Sequence, residues 1–105
     1  VCCSEPHSRA NYGDSIFLQS ASESLDQGSI HAEWMGIIKI SSKIMPLIKE
    51  EVRNLSKEED FSSMKMHHLL EHLCKIKQPI RVLYTTGNWL DVDTIEDVIR
   101  ANNFI

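Results

Sequence analysis

The chain has 105 residues, of which 42% are hydrophobic and 25% charged, the composition of an ordinary globular domain. This length predicts one domain over residues 1–105. The net charge of −4 argues against a broad grip on nucleic acid, because such a grip needs clustered Lys and Arg to displace counterions. No apolar run approaches the roughly 20 residues that cross a bilayer, so we expect no membrane insertion.

The first third of the chain alternates short apolar runs with polar loops. Residues 1–4 and 16–19 are predicted strands. Val1-Cys2-Cys3 has the composition of the end of a strand, which predicts that the chain is a piece of a longer protein. Residues 20–29 have the small polar composition of an exposed loop, either a connector or a lid.

Residues 32–40 form the strongest predicted strand, because they are rich in β-branched and aromatic side chains. Gly36 in the middle would permit a bulge or a close backbone approach. Ser41 or Ser42 would cap a helix that runs to about residue 55. Pro46 fits this helix only in its first turn.

The second half of the chain contains two further predicted helices and two predicted strands. One helix extends over about residues 63–77, and Pro79 forbids its continuation. The predicted strands cover residues 80–85 and 89–93, with a turn at 86–88 between them, and a helix follows over residues 94–102. The order of elements predicts an α/β fold with a mixed sheet flanked by helices.

Two acidic residues lie just before the last helix. On a strand, Asp91 and Asp93 would point to the same side, because side chains alternate across a strand. Paired carboxylates are hard oxygen ligands of the kind that Mg²⁺ prefers. The alternative is structural, with Asp93 at the helix start and Asp91 in a turn. An EF-hand is excluded, because Glu96 occupies the position of the required Gly.

The last helix carries its own start signal. Thr94 with Asp97 three residues later resembles a capping box, with Asp in the place where Glu is commoner.

Histidines and cysteines offer weaker signals. His68 and His72 are spaced i and i+4 on the second predicted helix, so they could share a transition metal, but no third ligand is evident. Solvated or partly packed histidines are the alternative. The cysteines, Cys2, Cys3 and Cys74, are odd in number and lack a repeated spacing, which predicts reduced thiols in a cytoplasmic protein.

Two segments of the chain resemble a known enzyme family. Residues 32–40 (AEWMGIIKI) and 87–97 (GNWLDVDTIED) resemble the C-terminal half of sugar-phosphate-type nucleotidyltransferases. The nearest in pattern are small cytidylyltransferases that act on phosphocholine or aminoethylphosphonate, some of which are fused to phosphoenolpyruvate phosphomutases. The order of elements follows the family over residues 1–104, and the specific motifs lie in these two segments.

This resemblance implies the C-terminal portion of a doubly wound nucleotidyltransferase domain without its N-terminal, nucleotide-binding half. In the family that half carries a Gly-rich loop with basic residues and one metal-binding Asp. The four glycines here, at positions 13, 28, 36 and 87, cannot form such a loop. The resemblance therefore implies that the isolated chain is inactive.

The implied reaction transfers a nucleoside monophosphate from a nucleoside triphosphate to a phosphorylated or phosphonylated small alcohol or sugar, and releases pyrophosphate. The resemblance to cytidylyltransferases implies that the triphosphate is CTP. Asp91 and Asp93 match the acidic positions that hold Mg²⁺. Glu33 lies on the strand that borders the acceptor pocket and is expected to bind substrate. No residue of this chain is assigned as a catalytic acid, base or nucleophile.

A non-catalytic α/β module for binding or dimerisation is the alternative function. A layered domain divided in two exposes apolar surface, so we also expect the chain to associate with itself as a homo-oligomer.

Overall fold

A computed structural model of the protein describes residues 1–87 and 89–103. Within these residues the chain forms the strands β1 (Cys2–Cys3), β2 (Ile16–Ser20) and β3 (Arg81–Val82) and the helices α1 (Met45–Leu55), α2 (Met66–Lys75) and α3 (Ile95–Asn102). Single 3₁₀ turns lie at Arg9–Asn11, Gln27–Ser29 and Phe61–Ser63. The predicted combination of strands and helices is thereby confirmed.

The strands form one sheet in the order β1-β2-β3, and both pairings are antiparallel. Strand β2 is central, with Leu18 opposite Cys3 and Phe17 opposite Arg81. An irregularity between Cys2 and Cys3 shifts the register along the first pair. The prediction of a mixed sheet is wrong for the described residues, because the pairings within them are all antiparallel.

The core lies between the sheet and α2, which packs against β2. Leu70 and Leu73 are spaced i and i+3, so both face the sheet, and they are 3% and 2% exposed. The other fully buried apolar residues are Cys3, Ile16, Ala21 and Ile48. Helix α1 contributes only Ile48 to this group, which makes β2 and α2 the centre of the fold.

The predicted strand at residues 32–40 is wrong. Among the residues that the structure describes, Ala32 alone in this segment pairs like a strand residue, since it exchanges backbone hydrogen bonds with Val1. Beyond it, Gly36 has φ +86° and turns the chain, and Trp34 Nε1 donates to the Ile37 carbonyl over 3.0 Å. A local turn therefore replaces the extended backbone that a strand needs.

The predicted strands near the C-terminal end are also wrong in extent. The strand expected at residues 80–85 is reduced to Arg81–Val82, and residues 89–93 form none. Leu90 and Val92 are 37% and 49% exposed, so the apolar side of that segment is only partly covered. Asn88, within the predicted turn and the GNW motif, lies outside the described residues, as does residue 104.

The helices agree better with their sequence signals. Pro46 lies in the first turn of α1, as predicted. The helix begins after Ile44 without a side-chain cap, so capping by Ser41 or Ser42 is wrong; the Ser41 carbonyl instead accepts from Ile44 and Met45. Helix α2 begins three residues later than predicted.

Candidate functional site

The start of α3 is fixed by a reciprocal pair of side chains. Thr94 Oγ1 accepts from the Asp97 backbone N–H over 3.2 Å. Asp97 Oδ2 in turn accepts from the backbone N–H of Thr94 over 3.0 Å and from its hydroxyl over 2.8 Å. The predicted capping box is therefore confirmed. Together the two residues occupy donors that are otherwise left free at a helix start.

These hydrogen bonds also set the charge state of Asp97. Its pKa is lowered chiefly by the hydrogen bond from the Thr94 side chain, with further help from the Asp93 and Thr94 backbone N–H groups and from Arg100. Each of these groups favours the ionised carboxylate. Asp97 is therefore the acidic residue committed to the helix start.

Asp91 and Asp93 are left outside this arrangement. Both side chains are exposed. The Asp93 backbone N–H donates to Asp97 over 3.3 Å, but its carboxylate takes no part in the cap. Among the described residues neither carboxylate forms an ion pair or a side-chain hydrogen bond. The structural role that the sequence allowed for Asp93, as helix cap, is filled by Thr94 and Asp97.

The strand argument for their common direction does not hold, because residues 89–93 are not a strand. Within the described part of the chain, no three His, Cys, Asp or Glu side chains come together as a metal site. Mg²⁺ is commonly held by one or two carboxylates together with substrate phosphates and water, so two carboxylates suit that mode of binding.

Glu33 lies in a different place, at a cleft of 340 Å³ beside the N-terminal end of the core. Glu33, Trp34 and Ala32 form one wall, and Ala21, Glu23 and Leu70 lie among the residues that line the rest. A volume of this size suits a small ligand, since small-molecule sites span about 300–1,000 Å³. Asp91 and Asp93 do not line this cleft. The structure therefore describes two separate candidate regions.

Glu71, a carboxylate that sequence reasoning missed, holds the backbone beside the cleft. Glu71 on α2 accepts hydrogen bonds from Ser20 Oγ over 2.9 Å and from the Ala21 backbone N–H over 2.7 Å. It thereby fixes the chain where β2 ends and the cleft begins. The available signal was its place between Leu70 and Leu73, a polar residue at the edge of an apolar stripe.

A second contact that sequence reasoning missed lies at the edge of the cleft, between Glu23 and the start of α2. Lys65 Nζ lies 2.8 Å from Glu23 Oε1, and His67 Nδ1 lies 4.0 Å from the same oxygen. The pKa of Glu23 is lowered, first by its hydrogen bond with Lys65 and then by the Lys65 charge. The loop before α1 is thus joined to the start of α2.

The histidines of α2 have structural partners. His68 Nδ1 accepts from the Lys65 backbone N–H over 2.8 Å, which helps to start the helix. His72 Nε2 pairs with Glu51 and so connects α2 to α1. These partners favour the structural alternative over a shared transition metal.

The three cysteines and Tyr84 are further polar groups whose surroundings bear on their reactivity. All three cysteines are free, and burial raises the pKa of Cys74, which disfavours its nucleophilic thiolate form. Tyr84, which sequence reasoning also missed, donates to the Glu5 carbonyl over 2.8 Å and contacts the His7 ring edge-on. Its pKa is raised, chiefly by burial.

The comparisons with known proteins add no relative. The chain matches no protein-family model, and neither curated sequences nor solved structures give a significant match. Among the helices of the described residues, none has both the length and the apolar character to span a bilayer.

Proposed function

We propose that the chain is the C-terminal part of a doubly wound, Mg²⁺-dependent nucleotidyltransferase domain. In the intact enzyme it would help transfer a nucleoside monophosphate from a nucleoside triphosphate to a phosphorylated or phosphonylated small alcohol or sugar. The resemblance to cytidylyltransferases favours CTP as the triphosphate. The proposal starts from the resemblance of residues 32–40 and 87–97 to that family. We also propose that the protein is cytoplasmic and that it does not bind nucleic acid.

One structural observation supports the proposal. The cap of α3 is made by Thr94 and Asp97, so Asp91 and Asp93 are not needed to start the helix. Both carboxylates are exposed and lack an ion pair among the described residues, so their oxygens are accessible to a cation from solvent. Hard divalent cations such as Mg²⁺ prefer carboxylate oxygens of this kind.

The reaction needs no covalent intermediate with this chain. An oxygen of the acceptor phosphate or phosphonate attacks the α-phosphorus of the nucleotide, the bond between the α-phosphorus and its bridging oxygen breaks, and pyrophosphate leaves with the electron pair. Bound Mg²⁺ would neutralise the charge on the phosphates. Asp91 and Asp93 would hold the cation, and Glu33 would contact the acceptor in the cleft. The contribution of the chain is placement and electrostatics.

Paramagnetic relaxation by Mn²⁺ tests the metal role in the isolated chain. We expect Mn²⁺, added with CTP, to broaden the amide resonances around residues 91–97 selectively. The double variant D91N/D93N should lose this broadening, because amides are much weaker ligands for hard cations than carboxylates. D14N is the matched control, since Asp14 is also an exposed carboxylate on an irregular segment. Equal broadening in D91N/D93N and D14N would contradict the proposal.

The alternative, a non-catalytic α/β module for binding or dimerisation, is favoured by the apolar face of α3. Ile95, Val98 and Ile99 are 78%, 57% and 63% exposed. A homo-oligomer could cover this face. A chain that binds neither Mn²⁺ nor CTP but associates with itself would support the module over the enzyme.

A further inference from the structure

The loop between β2 and α1 lines the cleft near its two ends, with Ser22 and Glu23 at one end and Ile30 at the other, and both ends are fixed. At its first end, Ala21 donates to Glu71, and Ala21 itself is 1% exposed. At its other end, the His31 backbone N–H donates to the Val1 carbonyl over 3.0 Å, and His31 Nδ1 accepts from the Cys3 backbone N–H over 3.2 Å. Residues 22–30 therefore begin and end against the core.

Between these ends, side-chain ion pairs of Glu23 join the loop to the start of α2. The Glu23–Lys65 pair joins them, with His67 close to the same carboxylate oxygen. The hydrogen bonds of Ser24, Ser29 and Ile30 stay within the loop itself. Because Glu23 and His67 both line the cleft, this contact lies at the edge of the cleft.

We propose that residues 22–30 form a strap over the cleft, with fixed ends and a releasable latch made by Glu23 and Lys65. The two kinds of contact differ in burial. The Glu71 contacts are partly buried and include a backbone donor, whereas the latch side chains are 68% and 64% exposed. Exposed ion pairs are worth about 0–1 kcal/mol and are screened by salt. The latch therefore opens first, while Ser20, Ala21 and the core stay in place.

Access to Trp34 reports on this strap, because the indole lines the cleft. In a W89F background Trp34 is the only tryptophan, so its fluorescence quenching by acrylamide measures how often the cleft is open. K65Q removes the latch charge and should raise the opening equilibrium about two- to fivefold, the range that an exposed ion pair supports. The quenching constant should rise accordingly. K65R should stay close to the parent, because it keeps the charge.

Matched controls separate the latch from a general loss of structure. K57Q removes another exposed lysine, one without an ion pair among the described residues, and should leave quenching unchanged. High salt should raise quenching in the parent protein and abolish its difference from K65Q. Far-UV circular dichroism checks that each variant folds. Quenching in K65Q equal to the parent at low salt, or quenching in the parent that does not respond to salt, would overturn the strap. Neither measurement depends on the proposed enzyme activity.

Discussion

At the scale of single residues, the end of α2 carries a lysine at the left-handed position that glycine usually occupies. Lys77 has φ +63° and follows the C-cap residue Ile76. Its backbone N–H donates to the Cys74 carbonyl over 3.0 Å, and the next one, of Gln78, donates to Leu73 over 2.9 Å. These two bonds form a Schellman motif, in which the left-handed residue is usually glycine because it has no Cβ.

Replacing that lysine tests the motif. K77G should stabilise the protein by about 0.5–1 kcal/mol, because relief of the left-handed strain exceeds the added backbone entropy of the unfolded chain. Urea unfolding at an unchanged slope gives the free energy of unfolding. E50G is the control, since it places glycine at an exposed position in the interior of α1 and should cost about 1 kcal/mol. A K77G variant no more stable than the parent would contradict this account.

The residue-scale signals that were predictable from sequence are those carried by local chemistry. The Thr94–Asp97 box and the first-turn place of Pro46 each follow from hydrogen-bonding capacity or ring geometry within one turn. Lys77 gave no such signal, because the left-handed position is occupied by a residue that does not favour it. Glu71 and Lys65 act through partners 42–51 positions away in the chain, and sequence spacing does not report such contacts.

At the scale of elements, α3 depends on its own cap more than on packing, because none of its residues is buried. The pKa of Asp97 is lowered below the ordinary value of 3.8, so the ionised form is the one that stabilises the folded helix start. The stabilisation is complete above the ordinary pKa and is lost as the pH falls through the lowered one. Helix α3 should therefore lose its first turn in acid.

NMR measures that loss directly. The Cα chemical shifts of residues 95–98 should stay helical at neutral pH and move toward coil values as the Asp97 carboxyl titrates. T94A should raise the pKa of Asp97 toward its ordinary value, because the largest stabilising hydrogen bond is removed. D97N should remove the pH dependence. A helix start that is insensitive to acid in the parent protein would refute the role of the Asp97 charge.

Strands were less predictable than helices for a physical reason. A helix satisfies its backbone within the segment, so periodicity and caps largely decide whether it forms. A strand needs a neighbour. Residues 32–40 and 89–93 have strand composition, but in the part of the chain that the structure describes no strand pairs with them past Ala32. Their β-branched and aromatic side chains favour a strand, but the sequence of a segment does not show whether another strand lies beside it.

At the scale of the whole molecule, the radius of gyration is larger than that of a compact domain of the same length. The radius is 16.0 Å, whereas a compact domain of this size has about 13 Å. The difference agrees with a small core around β2 and α2 and with the apolar side chains left exposed on α3. The cleft, the acidic segment and the α3 face are therefore joined by a modest amount of packing.

Exposed apolar surface of this kind predicts self-association. Light scattering should show an average mass that rises with concentration, because burial of the α3 face releases about 25 cal/mol for each Å² of apolar area. I95K/I99K places two charges on that face and should reduce the association at equal concentration. E96K is the control, since it introduces lysine at a polar position of the same helix. A parent protein that stays monomeric at high concentration, or an I95K/I99K variant that associates as strongly as E96K, would show that α3 does not form the interface.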